Sequence, residues 1–250
     1  MPYRRLPNTD AARIRALKTA LKKSRDVDDI NTMAYPLSLR QRVDIFLPKF
    51  ETAIVNSKSA RDKQIQNSKV FAESIRKARL YISHFIQVLN FTIARGELKS
   101  TARVFYGLDE NETKLPSLQT ETELLNWGEK VINGEQDRLN SRVGNPIYSP
   151  NIAIVKVNFE NFKQNYEYQK RLQANSARYS QEVAQFRAEA DSLITEVWND
   201  VELHFENVKD EEQKRYMCEE YGLVYVFRRG EKERIKRLKE AEEITLKFSF

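Results

Sequence analysis

The chain has 250 residues, 40% of them hydrophobic and 31% charged, with a formal net charge of +6. That length allows one large domain or two small ones with a sizeable core. The longest uncharged stretch, residues 80–94, contains Ser83, His84, Gln87 and Asn90. It falls short of the roughly 18 to 20 apolar residues that cross a bilayer, so no membrane span is expected. Cys218 is the single cysteine, which excludes an internal disulfide. The N-terminus lacks the apolar core of a secretory signal, and a cytoplasmic location is expected. With only 7 Gly and 7 Pro, breakers are scarce, and long helices are favoured.

The positive charge lies at the N-terminus. Arg4, Arg5, Arg13, Arg15, Lys18, Lys22, Lys23 and Arg25 precede residue 26, with Asp10 as the only acid among them, and the rest of the chain is close to neutral. The basic character therefore belongs to an arm over residues 1–35. Asn8 or Thr9 is a good N-cap, and Ile14, Leu17 and Leu21 then share one narrow helix face. The eight cations are candidate contacts for an anion or a nucleic acid, whose binding would fall steeply with salt. The arm also suits an anionic surface, and it resembles an organellar presequence in being arginine-rich and poor in acids. The bland alternative is a peripheral helix with a solvated basic face.

Asp26, Asp28 and Asp29 mark a polar linker leading to Pro36. Ser38 and Gln41 fit a capping box, which predicts a helix start there. Leu39, Val43, Phe46, Phe50 and Ile54 follow at helical spacing, with Pro48 expected to remove a hydrogen bond and bend the axis. Residues 56–64 are polar on almost every face and read either as a turn or as part of one long helix. The apolar seam resumes with Phe71, Ile75, Ala78, Ile82, Phe85, Leu89 and Ile93 and stops near Gly96.

Residues 97–119 form the longest connection in the middle of the chain, interrupted by a short apolar run at 104–106. Thr120 and Glu123 make another capping box ahead of Leu124, Trp127, Val131 and Ile132. Gly128 and Gly134 weaken that helix by about 1 kcal/mol each relative to alanine. Ser149 followed by Pro150 reads as an N-cap and a first helical position. A pattern from Val155 to Val208 then continues with no Gly or Pro until Gly222, as one long helix or two nearly continuous ones.

After Gly222, residues 223–227 are apolar and β-prone and should be covered on both faces. Ile235, Leu238 and Ala241 suit a short amphipathic helix, and Ile244, Leu246, Phe248 and Phe250 alternate as in a half-buried strand. The expected cap over 221–250 is strand-helix-strand. Two strands alone are marginal, so they should pair with each other, with 104–106, or with another chain. Leu223, Tyr225, Phe227, Leu246 and Phe248 are the candidate partner edge. The fold class is mainly α: an elongated antiparallel helical bundle with long coiled-coil-like helices over 36–220 and a small C-terminal β(α)β element.

Chemistry has few candidates. His84 and His204 are the only histidines, expected to be hydrogen-bonded in the core. The residues three before them are Tyr81 and Val201, which excludes paired Glu-x-x-His metal ligands. No phosphate-binding loop, zinc or calcium motif occurs. Cys218, beside Glu219 and Glu220, reads as a packing residue. Glu189, Asp191, Glu196, Asp200 and Glu202 read as part of a solvated face of mixed charge. Tyr166, Tyr168 and Tyr179, mixed with Lys170, Arg171 and Arg178, fit either a stacking patch for single-stranded nucleic acid or a bundle seam. No catalytic residue, metal or cofactor is assigned. The function expected is a non-enzymatic scaffold or interaction protein engaging a protein partner or itself. The alternatives are nucleic-acid binding through the basic arm, or an enzyme whose site is assembled between helices.

Overall fold

A computed structural model of the chain describes residues 3–27, 32–231 and 233. Among these the protein is mainly α. In chain order the elements are β1 (Tyr3–Arg4), α1 (Asp10–Arg25), α2 (Leu37–Ala94), a 3-10 helix (Ser100–Tyr106), α3 (Glu121–Asn140), α4 (Ile152–His204), α5 (Glu211–Glu219) and β2 (Tyr225–Val226). No described helix is long and apolar enough to cross a membrane. The chain divides into two compact units, one of Met1–Ser57 with Arg178–Phe250 and one of Lys58–Ala177. These units cut across the chain-order segments 1–35, 36–220 and 221–250.

Helix boundaries follow from local chemistry, with three shifts from expectation. Thr9 caps α1 as predicted, its hydroxyl accepting from the Ala12 amide at 3.2 Å. α2 begins at Leu37, where the Pro36 carbonyl accepts from the Leu39 and Arg40 amides. Ser38 therefore lies inside the first turn and is not the cap. Residues 56–64 belong to one unbroken 58-residue helix that also contains Pro48. It stops as expected at Gly96, with φ of 75°. There the Gly96 and Glu97 amides return to the Ile93 and Thr92 carbonyls, a Schellman closure.

The run 104–106 is not a strand. It ends the 3-10 helix, with Tyr106 fully buried. The Thr120–Glu123 capping box forms with both reciprocal bonds. The start of α4 differs: Ser149–Pro150 is a cis peptide ahead of the helix, and Asn151 is the cap, its Oδ1 accepting from the Ile154 amide at 2.9 Å. The far end also differs, because α4 stops at His204. A separate helix, α5, is then capped by Asp210, whose side chain accepts from the Glu212 amide. The apolar spacing through Phe205 and Val208 runs across a turn.

Each unit has its own core. In the first, Leu17, Ala20 and Leu21 of α1 meet Val43, Phe46 and Phe50 of α2, Ala190 to Val201 of α4, and Cys218, Tyr221 and Leu223. Here α2 and α4 run antiparallel, with Phe46 and Phe50 within 5.8 and 6.3 Å of the Phe186 ring. In the second, Phe71, Ile82, Phe85 and Leu89 of α2 pack with Tyr106, Leu124 and Val131, and Val155, Phe159 and Phe162 of α4. The antiparallel run recurs there, marked by Phe71 on Phe162 and by Asn67 donating to Gln169 at 2.8 Å.

The C-terminal apolar run finds a partner that the sequence did not suggest. β2 pairs with β1 antiparallel, Tyr3 opposite Val226 and Arg4 opposite Tyr225, and the Arg5 amide donates to the Val224 carbonyl at 2.9 Å. Its cover is one-sided, since Leu223 is buried while Val224 is 48% exposed. The expected helix around Ile235, Leu238 and Ala241, and the strand carrying Ile244, Leu246, Phe248 and Phe250, lie outside the described residues.

Candidate functional site

The β1–β2 ladder sets which side chains of the N-terminal segment face inward. Residues directly opposite in an antiparallel pair share a face, so Arg4 and Tyr225 point one way and Arg5 and Val224 the other. The inward pair is clasped by α4. Arg4 donates to Asn199 Oδ1 at 2.8 Å and to Glu202 Oε2 at 3.0 Å, and its guanidinium stands 5.9 Å from the Trp198 ring. Tyr225 donates to the other Glu202 oxygen at 2.7 Å. Burial, and then the Glu202 carboxylate, push the Tyr225 hydroxyl well above its ordinary pKa.

The outward pair forms one rim of a groove of about 480 Å³. Pro7 and the Thr9 cap turn the chain from β1 into α1, and Gly222 closes the opposite side. Gly222 has φ of +86°, and a Cβ there would stand 2.8 Å from the Ala16 carbonyl oxygen, so its backbone rests directly on α1. Buried Trp198 and Leu223 lie at the base, with Leu6 and Val224 exposed at 42% and 48%. Arg5, Arg15 and Glu219 supply the charge on the lining.

The groove brings together two sets of candidates that are far apart in sequence. It takes Arg5 and Arg15 from the basic arm and Leu223 from the candidate edge. Most other cations of the arm are engaged within the unit. Arg13 makes a two-pronged contact with Asp191 at 2.7 and 2.9 Å. Lys18 meets Glu51 at 2.6 Å, Lys23 meets Glu220 at 2.9 Å and Arg25 meets Asp44 at 2.5 Å. Asp10 takes both prongs of Arg187 at 2.7 Å, and these bonds hold its carboxyl below the ordinary range. Among the described residues Arg5, Arg15 and Lys22 have no ion pair. The arm is thus a docked helix with most of its charge neutralised locally.

Three residues of the candidate edge, Leu223, Tyr225 and Phe227, are among the described residues. Leu223 is buried, and Tyr225 and Phe227 are half-buried. Val224, between them, is the exposed one. Leu246 and Phe248 lie outside the described residues. Sequence reading also passed over Leu6 and Trp198. The alternation that could have located Val224 becomes readable only once the Tyr3–Arg4 partner is known, because a run that is apolar at every position carries no phase.

The remaining candidates are satisfied or exposed. His84 and His204 do not lie in the cores. Both are exposed, and His204 stacks edge-on against Phe205 at 4.8 Å. Cys218 is buried, and burial raises its thiol pKa. Tyr166 packs on Phe71 and Phe162 at a seam, with Lys170 5.1 Å from its ring. Arg171 lies 5.9 Å from Tyr168, and Arg178 lies 4.9 Å from Tyr179. Among the described residues no group of three His, Cys, Asp or Glu side chains is placed to hold a metal.

The second unit holds a buried polar trio that sequence reading did not single out. Arg138 donates from Nε to Tyr106 Oη and to Glu135 Oε2, both at 2.9 Å, and from Nη2 to Glu135 Oε1 at 2.8 Å. Its remaining donors reach the Val143 and Asn145 carbonyls. Tyr106 in turn donates to Glu135, and burial drives its hydroxyl pKa far up. Arg138 and Tyr106 are 0% exposed and Glu135 is 1% exposed. The trio ties the loop after α3 to that helix and presents no group to solvent. A cavity of about 550 Å³ lies beside that loop, and the Arg95–Glu97 pair on its lining is already closed at 2.7 Å.

Comparison with protein families, with curated proteins and with solved structures gives no match.

Proposed function

We propose that this is a non-enzymatic interaction protein that engages a protein partner through the groove beside β1 and α1. The observation that carries the reading is the composition of that groove. Exposed Leu6 and Val224 sit above an aromatic base, flanked by two arginines that have no ion pair among the described residues. Apolar contacts combined with arginine are enriched at protein interfaces relative to the rest of the surface. Catalysis has less support, because the most elaborate polar cluster, Tyr106–Glu135–Arg138, is sealed and internally satisfied.

Nucleic-acid binding through the arm is the weaker second reading. Five of its eight cations, Arg4, Arg13, Lys18, Lys23 and Arg25, already hold carboxylates. Each would have to exchange that partner for a phosphate.

The test compares the wild-type chain with Val224→Glu. Light scattering and affinity purification from the native extract should find a partner, or a second copy, that the variant loses. A wild-type chain that stays monomeric, with no partner sensitive to residue 224, overturns the reading.

A further inference from the structure

We infer that the occupant of the groove is an extended acidic segment of a partner protein, its carboxylates held by Arg5 and Arg15 and its apolar side chains laid on Leu6 and Val224. This rests on the reading of the groove as an interaction site and adds the chemistry of the ligand. Charge complementarity selects it. Of the arm's eight cations, five are neutralised by the protein's own carboxylates, and two of the other three converge on this one groove. Guanidinium groups suit carboxylates because their planar fork offers two parallel donors. Among the described residues Glu219 is the single acid on the lining, so an incoming carboxylate is directed away from it and toward the arginines.

The groove is preformed. The β1–β2 ladder, the Arg4 clasp on Glu202 and the backbone contact between Gly222 and Ala16 fix its walls. An extended peptide therefore orders only itself on binding. Its volume lies in the range of pockets that enclose a small ligand or a few side chains. Single-stranded nucleic acid fits less well, because it needs exposed rings for base stacking. The aromatic ring on the lining, that of Trp198, is 1% exposed. A membrane surface would need a wider apolar face than Leu6 and Val224 provide.

The experiment is fluorescence anisotropy with the full chain and a fluorescein-labelled peptide of about ten residues that alternates Glu with Leu and Val, long enough to span the groove. Its Gln-for-Glu counterpart, a labelled oligothymidylate and phosphatidylserine vesicles are measured alongside. The acidic peptide should bind, and the Gln peptide should bind about tenfold more weakly or not at all. Arg5→Ala/Arg15→Ala should weaken the acidic peptide by a similar factor or more. Lys22→Ala, which removes a cation outside the groove, should leave it unchanged. If the double variant loses its fold, Arg15→Gln alone carries the comparison.

The inference is overturned if the acidic peptide does not bind or if Lys22→Ala weakens it as much as the double variant. It is also overturned if the oligonucleotide or the vesicles bind more tightly through the same arginines. A partner lost with Val224→Glu, together with a peptide that fails to bind, would overturn this ligand assignment and leave the interaction reading standing.

Discussion

Gly128 of α3 lies against the Phe159 ring of α4, so closely that a Cβ on Gly128 would stand 2.1 Å from Phe159 Cε2. Helix propensity alone favours alanine at this position by about 1 kcal/mol. Packing reverses the sign, because the ring is fully buried in the second core and must shift to admit a methyl group. Gly128→Ala is expected to destabilise that unit by roughly 1 to 3 kcal/mol, the usual cost of overpacking. A urea titration showing a higher midpoint than wild type would contradict this. Gly134 is constrained in the same way, its Cβ position lying 2.5 Å from the Phe105 carbonyl oxygen.

The buried Arg138–Glu135 pair makes an asymmetric prediction. Arg138→Met leaves Glu135 as an uncompensated charge in the core and should cost roughly 3 to 5 kcal/mol. Arg138→Met with Glu135→Leu removes both charges together and should recover much of that loss. Thermal melts of the two variants, run side by side, would decide it. Equal destabilisation would mean that the bonds to the loop carbonyls, and not the pairing of charges, set the cost.

Acid should loosen α1. Asp10 has a lowered carboxyl pKa, chiefly through its hydrogen bonds from Arg187. A lowered folded value means that the carboxylate adds stability above its unfolded pKa of about 3.9, and that this gain disappears as pH falls through the folded value. The melting-temperature gap between wild type and Asp10→Asn should therefore be widest near neutrality and shrink with acidification below about pH 4. A gap that stays constant across that range would rule out a charge effect. The pair is partly exposed, so added salt should narrow the gap as well.

The two candidate starts of α4 can be separated by single substitutions. Asn151→Ala removes the side-chain acceptor of the Ile154 amide and should cost about 1 kcal/mol. Ser149→Ala, ahead of the cis proline, should change stability by only a few tenths of a kcal/mol. The reverse order in denaturant midpoints would return the cap to Ser149.

Signals that act within a few residues were readable in the sequence. The Thr9 cap, the Thr120–Glu123 box, the stop at Gly96 and the seams of α2 and α4 all depend on neighbours one to seven positions away. Ser149-Pro150 misled because Asn151, two residues on, is an equally good cap, and the choice between them depends on how the loop packs. The histidines misled because an apolar pattern with a polar member does not say which side of the stripe that member occupies. The candidate site was legible only in pieces. Arg5 and Arg15 were among eight similar cations, and nothing local distinguished them from Arg13, whose partner Asp191 lies 178 residues away. Val224 was missed because its orientation is set by Tyr3 and Arg4, more than two hundred positions earlier.

That ladder has a consequence for the order of events during synthesis. Residues of the second unit are contiguous in the chain, so its core can assemble as soon as α4 emerges from the ribosome. The first unit contains both Tyr3 and Val226, and it cannot close until Val226 has been made. Before residues 183–201 are made, Leu17, Leu21, Phe46 and Phe50 have no α4 residues to cover them. Translation pauses once residue 177 has emerged from the ribosome are expected to leave a folded middle segment preceded by an open N-terminal part, whose exposed apolar side chains make the nascent chain prone to aggregation.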